Sequence, residues 1–162
     1  MTWVTSLWAA VAVLGFAMVF AVPRSTLPGI MALAVAAHLL RSFCLHQGAS
    51  LPLASFVAAI AVGFTAAVVA PRTGQATPIY AFAPVIPLIP GTYLFNALTG
   101  VLDLTAGTAS SSSPIVDEVV VDVAVATLTI VALAVGAIGP TLLVGRRIAN
   151  LVVRSAIEDS EG

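Results

Sequence analysis

An apolar stretch near the middle of the chain cannot form one regular helix. Residues 81–96, AFAPVIPLIPGTYLFN, carry a proline at every third position, and a glycine, Gly91, follows the last of them. The prolines are Pro84, Pro87 and Pro90. Each proline removes a backbone donor and clashes with the carbonyl four residues earlier. The carbonyls freed in an interior helix would be those of Tyr80, Ala83 and Ile86.

The surroundings of this break are expected to be a lipid bilayer. The chain has 162 residues, of which 60% are hydrophobic and 8% charged, against about 25% charged residues in soluble domains. Lipid cannot satisfy loose carbonyls, so a broken backbone survives at membrane depth only inside protein or beside a wet cavity. Broken helices of this kind are typical of the binding sites of transporters.

The apolar runs predict an all-α integral membrane protein with about five transmembrane helices in one domain, residues 1–145. The fourth helix is the one broken at Pro84, Pro87 and Pro90-Gly91. The predicted spans are 3–22, 28–45, 51–70, 78–102 and 119–144. Residues 146–162 form a short tail. No internal repeat is visible, so five spans suggest one half of a transporter.

Arginine placement predicts the orientation. With five spans, the loops after the first and third spans and the tail share one side. The arginines of these segments are Arg24, Arg72, Arg146, Arg147 and Arg154. The positive-inside rule then makes the C-terminus cytoplasmic and the N-terminus external. A four-span alternative with one re-entrant run would put arginines on both faces. On the five-span count, the break lies about ten residues into its span, near mid-membrane.

The residues after the break predict a site for an anionic group. Gly91 can begin a fresh half-helix, whose first amides lack intrahelical acceptors and lie at the positive end of the dipole. Thr92, Tyr93 and Asn96 could add hydrogen bonds, and Thr92 and Asn96 lie one turn apart on one face. A proline-kinked helix that packs without a ligand is the alternative.

Arg41 is the only arginine inside a predicted span. A charge at that depth needs a partner, a wet cavity or an escape to the surface. His38 lies on the same helical face, three residues earlier, and could share a cavity with Arg41. Snorkelling of Arg41 to the outer surface remains open, as does an ion pair with Asp122.

Other chemistry has little support in the sequence. Cys44 is the only cysteine, which excludes an intrachain disulfide and a cysteine metal cluster. We find no catalytic spacing, no phosphate-binding glycine loop and no zinc ligand set, so we expect no enzyme, no cofactor and no nucleic-acid partner. Several glycines among alanines indicate close helix packing: Gly15, Gly29, Gly63, Gly100 and Gly136.

Three passages together resemble the small YjjB-type proteins of the threonine/serine exporter family. They are GFAMVFAVP at residues 15–23, His38-Leu-Leu-Arg41, and VIPLIPG at residues 85–91. They are also similar to the C-terminal membrane half of fused members. The resemblance covers nearly the whole chain, and the last passage is its most specific part. Pro87, Pro90 and Gly91 match the family passage directly, and Arg41 matches its second-span arginine.

The resemblance implies a subunit of a bacterial inner-membrane exporter of small carboxylate-bearing metabolites, such as threonine and serine or a dicarboxylate like succinate. It also implies a separate YjjP-type membrane subunit, and a homo-oligomer remains an additional possibility. The residues expected at the substrate are His38, Arg41, Pro87, Pro90, Gly91, Thr92 and Asn96. Two other hypotheses remain, a non-transporting scaffold for a partner and a homo-oligomeric channel.

Overall fold

The computed structural model describes residues 11–16, 18, 22–74, 76–106 and 113–160. All of its regular structure is helical in this part of the chain, with α1 at Leu27–His46, α2 at Leu51–Thr73, α3 at Thr77–Phe82, a 3₁₀ segment at Ala83–Leu88, α4 at Gly91–Thr105 and α5 at Ser113–Ser160. Residues 11–16 and 18 are also helical. The remainder of the first predicted span lies outside the described residues, and so does most of the connection at residues 105–114, which contains four consecutive serines. The all-α membrane fold is confirmed, whereas the count of five spans stays a prediction.

Helix α2 forms the centre of the bundle. Its buried positions recur three or four residues apart and are nearly all small, which lets other helices approach its backbone closely. They are Ala54, Ser55, Ala58, Ala59, Val62, Gly63, Ala66, Ala67 and Ala70. The helix has a proline in its first turn and ends at Gly74, whose φ of 66° gives the left-handed cap that favours glycine.

Two glycines let α2 and α5 pack backbone to backbone. A methyl group added at Gly63 would lie 2.7 Å from the Ala137 carbonyl oxygen and 3.1 Å from Pro140. One added at Gly136 would lie 2.7 Å from the Ala59 Cβ. The close packing predicted from these glycines is therefore present. Because Ala59 meets Gly136 and Gly63 meets Pro140, the two helices run parallel.

The parallel arrangement bears on the four-span alternative. Helices α3 and α4 are joined at the break with a bend of 59°, so length alone allows one broken span or a re-entrant loop. Gly100 on α4 packs on Val119, near the start of α5, whereas Phe82 shares a groove with Ile130 and Leu133 further along it. The broken segment thus runs antiparallel to α5 along its length. This direction favours a crossing over a re-entrant turn.

The segment before the break is longer than a pure α-helix of the same residue count would be. This segment, residues 77–88, is half α-helix and half 3₁₀-helix. At rises of roughly 1.5 and 2.0 Å per residue, it covers about 20 Å of a hydrocarbon core about 30 Å thick. The mid-membrane depth of the break stays a prediction.

Candidate functional site at the helix break

Arg41 extends the inward face of α1. The buried residues of this helix are Ile30, Ala34 and Ala37, spaced by four and three positions. Arg41 follows Ala37 by four more and so continues the same stripe toward the bundle. The side chain is half-buried. This placement opposes the snorkelling alternative, in which Arg41 would point away from its neighbours.

The guanidinium of Arg41 binds the backbone of the broken span. Its Nη1 donates to the Leu88 carbonyl oxygen at 2.5 Å. Leu88 is the last residue of the 3₁₀ segment and is completely buried. The last carbonyls of a helix have no intrahelical donors. The buried Leu88 carbonyl is such an acceptor, and the charged Arg41 side chain supplies its donor.

The Leu88 carbonyl was not among the carbonyls expected to be freed, which lie four residues before each of the prolines. One of the expected carbonyls, that of Ile86, instead accepts from the Ile89 amide at 3.1 Å. The backbone stops being helical after Leu88 and becomes helical again at Gly91. It is this interruption, rather than any one proline, that exposes the Leu88 carbonyl. Among the described residues, the partner of the Arg41 guanidinium is the Leu88 carbonyl and not Asp122, which lies with Asn96 along a groove between α4 and α5.

Helix α4 begins with two amides directed at no backbone acceptor. Pro90 has no N–H, and the Gly91 amide donates to the Ile89 carbonyl at 2.8 Å. The next amides, those of Thr92 and Tyr93, fall within the first turn, where intrahelical acceptors are lacking. Neither appears among the described backbone bonds outside helices. Because Gly91 uses its own amide locally, the donors available to an anion are those of Thr92 and Tyr93.

Gly91 leaves open space over this helix start. A methyl group added at Gly91 would meet no heavy atom within 4 Å among the described residues, and its φ is not positive. Gly91 is therefore required by neither backbone strain nor packing within the chain. Gly91 and Thr92 are both exposed. A small ligand or another protein chain could thus reach the amides without any rearrangement.

The remaining candidate residues surround this opening unequally. His38 and Tyr93 are half-buried, and both lie close enough to Arg41 for an electrostatic interaction. Pro90 is buried and Pro87 is half-buried. Their role is to shape the interruption rather than to offer donors. Asn96 is exposed one turn after Thr92 on α4 and lines a groove with residues of α5.

The guanidinium and the start of α4 together make a donor-rich corner in an apolar bundle. Arg41 has five N–H groups, one of which is used by Leu88. The others, with the two helix amides, suit an acceptor-only group such as a carboxylate. Among the described residues, no cluster of three or more potential metal ligands exists.

Comparison with known proteins gives a family match. The model of the family described as "Threonine/Serine exporter, ThrE" matches residues 5–143, which is most of the chain. An uncharacterized protein of Haemophilus influenzae is 31% identical over 98 residues, covering 60% of this chain and 33% of that relative. The aligned region thus spans about a third of the relative's length. No solved structure matches significantly.

Proposed function

We infer a function from the family: this chain belongs to the threonine/serine exporter family. We propose that it is a subunit of a secondary exporter of small carboxylate-bearing metabolites. The family supports the exporter role and the multi-pass membrane location. Threonine and serine are the first candidate substrates, and a dicarboxylate such as succinate is the next. The observation that carries the proposal is the Arg41 guanidinium bound at the break in the fourth span.

The proposed mechanism uses the donors at the break to bind the substrate carboxylate. The carboxylate accepts from the free N–H groups of Arg41 and from the amides of Thr92 and Tyr93. The Thr92 hydroxyl, with His38 beside Arg41, gives further polar contact with the rest of the substrate. These donors are already oriented by the bond to Leu88 and by the helix, so binding costs little reorganisation.

The exposed helix start also supports a partner. Gly91 and Thr92 are exposed, and no described residue packs over Gly91. A carboxylate bound there within the membrane would need protein on that side to shield it from lipid. We therefore propose that a separate membrane subunit of the YjjP type, or a second copy, completes the site. The assembly would lie in the bacterial inner membrane, with the N-terminus outside and the C-terminus in the cytoplasm, as the arginine distribution suggests.

A pair of glycine variants tests the site. Gly91→Leu fills the open space beside the free amides, whereas Gly139→Leu fills equally open space elsewhere, on α5. Cells lacking the native gene would carry each variant with the neighbouring genes intact. Efflux of labelled threonine, serine and succinate would be measured, with membrane abundance of each variant as a control. We expect Gly91→Leu to lower efflux of the true substrate at least about tenfold and Gly139→Leu to leave it near wild type.

The same measurements separate the rival functions. Normal insertion and unchanged efflux for Gly91→Leu would contradict the site at the break. Unchanged efflux of all three compounds after deletion of the gene would contradict export of these substrates. A scaffold predicts that Arg41→Ala and Asn96→Ala are silent in efflux, and a channel predicts conductance from the purified chain alone.

A further inference from the structure

The outer parts of α4 and α5 form a hairpin surface that suits neither lipid nor water. Thr92, Asn96 and Thr99 follow one another by four and three positions and form a polar stripe on α4. Beside this stripe, α4 exposes large apolar side chains, including Phe95 at 66% and Leu98 at 59%. Lipid would leave the amide of Asn96 without partners, and water would contact the aromatic and leucine side chains.

This hairpin continues past the ends of α1 and α2. Ser50 and Leu53, at the start of α2, share a groove with Leu128 and Val131 of α5. The apolar part of α5 runs over Ile115–Leu143, which are 29 residues and about 43 Å at the α-helical rise, longer than a core of about 30 Å. The portion of α5 before Leu128 therefore extends beyond the start of α2, and Val119 in this portion packs on Gly100 of α4.

Between the two helices lies an open acidic groove of about 400 Å³. Its lining consists of Asn96, Asp117, Glu118, Val121 and Asp122. Asp117 and Glu118 are exposed, Asp122 is half-buried, and Val121 is 57% exposed. No arginine or lysine occurs between Arg72 and Arg146 in the sequence, so α4 and the part of α5 before Arg146 bring no basic side chain to the groove.

We propose that this surface, the hairpin face formed by Asn96, Phe95, Asp117, Glu118 and Asp122, binds a different membrane protein through a helix that carries arginine or lysine at its outer end. A second copy docked here across a two-fold axis would bring six carboxylates of the groove together, and the repulsion would oppose association. A basic partner instead complements the acids, while its apolar residues cover Phe95 and its polar groups meet Asn96.

The inference rests on the proposed function in one respect, namely that the subunit works with a partner. It adds where that partner binds and with what chemistry. On the orientation proposed above, the basic residues of the partner would lie outside the membrane, against the usual positive-inside bias. That unusual position makes the partner helix recognisable in its own sequence.

Photo-crosslinking tests the surface at two matched positions. Phe95 on α4 and Phe64 on α2 are both exposed phenylalanines, at 66% and 48%, and benzoylphenylalanine replaces either with little change in shape. The full chain would be expressed with its neighbouring genes, irradiated in cells, and the attached peptides identified by mass spectrometry. We expect the probe at Phe95, and not that at Phe64, to attach to a membrane helix of another protein with arginine or lysine within about one turn of the adduct.

A charge test accompanies it. The triple variant Asp117→Asn, Glu118→Gln, Asp122→Asn keeps the side-chain shapes and should lower the Phe95 adduct at least about threefold, since each exposed ion pair contributes a factor of up to about five. Raising the salt from about 0.05 to about 0.5 M in isolated membranes should lower the adduct of the unaltered chain likewise, which needs no variant to fold.

Each alternative outcome is distinct. An adduct to a second copy, or to lipid alone, would overturn the proposal, and so would a partner adduct unaffected by both neutralisation and salt. Efflux plays no part in this readout. An adduct with the expected properties in cells that show no export would overturn the export function and leave the surface intact.

Discussion

On the proposed function, Arg41 joins two tasks in one side chain. One N–H group satisfies the buried Leu88 carbonyl, and the others are left for the substrate. Arginine suits this double role because its five donors are held in a rigid plane, whereas a lysine ammonium acts as a compact point charge. The residue therefore stabilises the break that it also serves.

Replacing Arg41 should separate these tasks. We expect Arg41→Ala to abolish efflux and to lower the free energy of unfolding by about 1–3 kcal/mol, because the Leu88 carbonyl is left buried without a donor. Arg41→Lys should recover most of the stability and only part of the efflux. Thermal unfolding in detergent and cellular efflux provide the two readouts. Full recovery of both stability and efflux in Arg41→Lys would contradict this and show that the charge alone matters.

Ser55 provides the opposite case, a polar group with no described partner. Its hydroxyl is fully buried in α2 and makes no hydrogen bond within the described structure, whereas the equally buried Thr129 hydroxyl donates to the Val125 carbonyl at 2.7 Å. We expect Ser55→Ala to raise the free energy of unfolding by up to about 1 kcal/mol and Thr129→Val to lower it by about 0.5–1.5 kcal/mol. Thermal unfolding in detergent compares the two, and a destabilised Ser55→Ala protein would indicate a partner for this hydroxyl.

At the scale of elements, the broken fourth span determines the geometry of the site. Its 3₁₀ segment packs mainly on α1, with smaller contacts to α2 and α5, while α4 leaves at 59° and packs on α5. The two halves thus share α5 but differ in their other neighbours. A short 3₁₀ stretch within a span often marks a hinge, and this one connects two separately supported helices.

Repairing the break should straighten the span. In Pro87→Ala/Pro90→Ala, the restored amides can donate to carbonyls four residues earlier, so a continuous α-helix becomes favourable. We expect the 59° bend to decrease and efflux to fall at least about tenfold, because the amides of Thr92 and Tyr93 would then find intrahelical acceptors. Distances between spin labels at Ile79 and Leu102 report the bend. Pro78→Ala, in the first turn of α3, is the control and should change neither measurement.

The elements show which parts of the site could be predicted from sequence. Proline and glycine spacing located the interruption, because these residues act on the backbone directly. The inward face of α1 was also readable, since Ile30, Ala34, Ala37 and Arg41 share a helical spacing. The exposure of the Leu88 carbonyl could not be predicted from the sequence, because its need for a donor depends on where the 3₁₀ segment ends. The predicted fourth span ends at residue 102, just before Asp103, whereas α4 continues through Asp103 to Thr105.

At the scale of the whole molecule, the packing of α2 on α5 holds the bundle together. Small residues recur along both helices, and Gly63 and Gly136 place backbone against backbone. In lipid, close packing of this kind replaces the hydrophobic effect as the force between helices. Sequence could indicate the glycines as packing positions, but not that they pair with one another or run parallel, because that depends on the path of the broken span between them.

Side chains added at this contact should loosen the whole bundle. We expect Gly63→Val to lower the free energy of unfolding by about 1–3 kcal/mol or more, because its Cβ would meet the Ala137 and Gly136 carbonyl oxygens, which cannot move independently of α5. Gly139 lies on α5 with open space around it, so Gly139→Val should lower the free energy of unfolding by less than about 1 kcal/mol. Thermal unfolding of both variants in detergent would measure the difference, and equal costs would contradict the parallel contact.

The pairing of α2 with α5 also determines the order in which helix contacts can form during synthesis. Ala137 follows its partner Gly63 by about 70 residues, so α2 enters the membrane well before the helix that covers its small-residue face has been synthesised. The bond from Arg41 to Leu88 can form earlier, once the first half of the broken span has emerged. A ribosome that stalls before the last span would leave the face of α2 open to other small-residue helices.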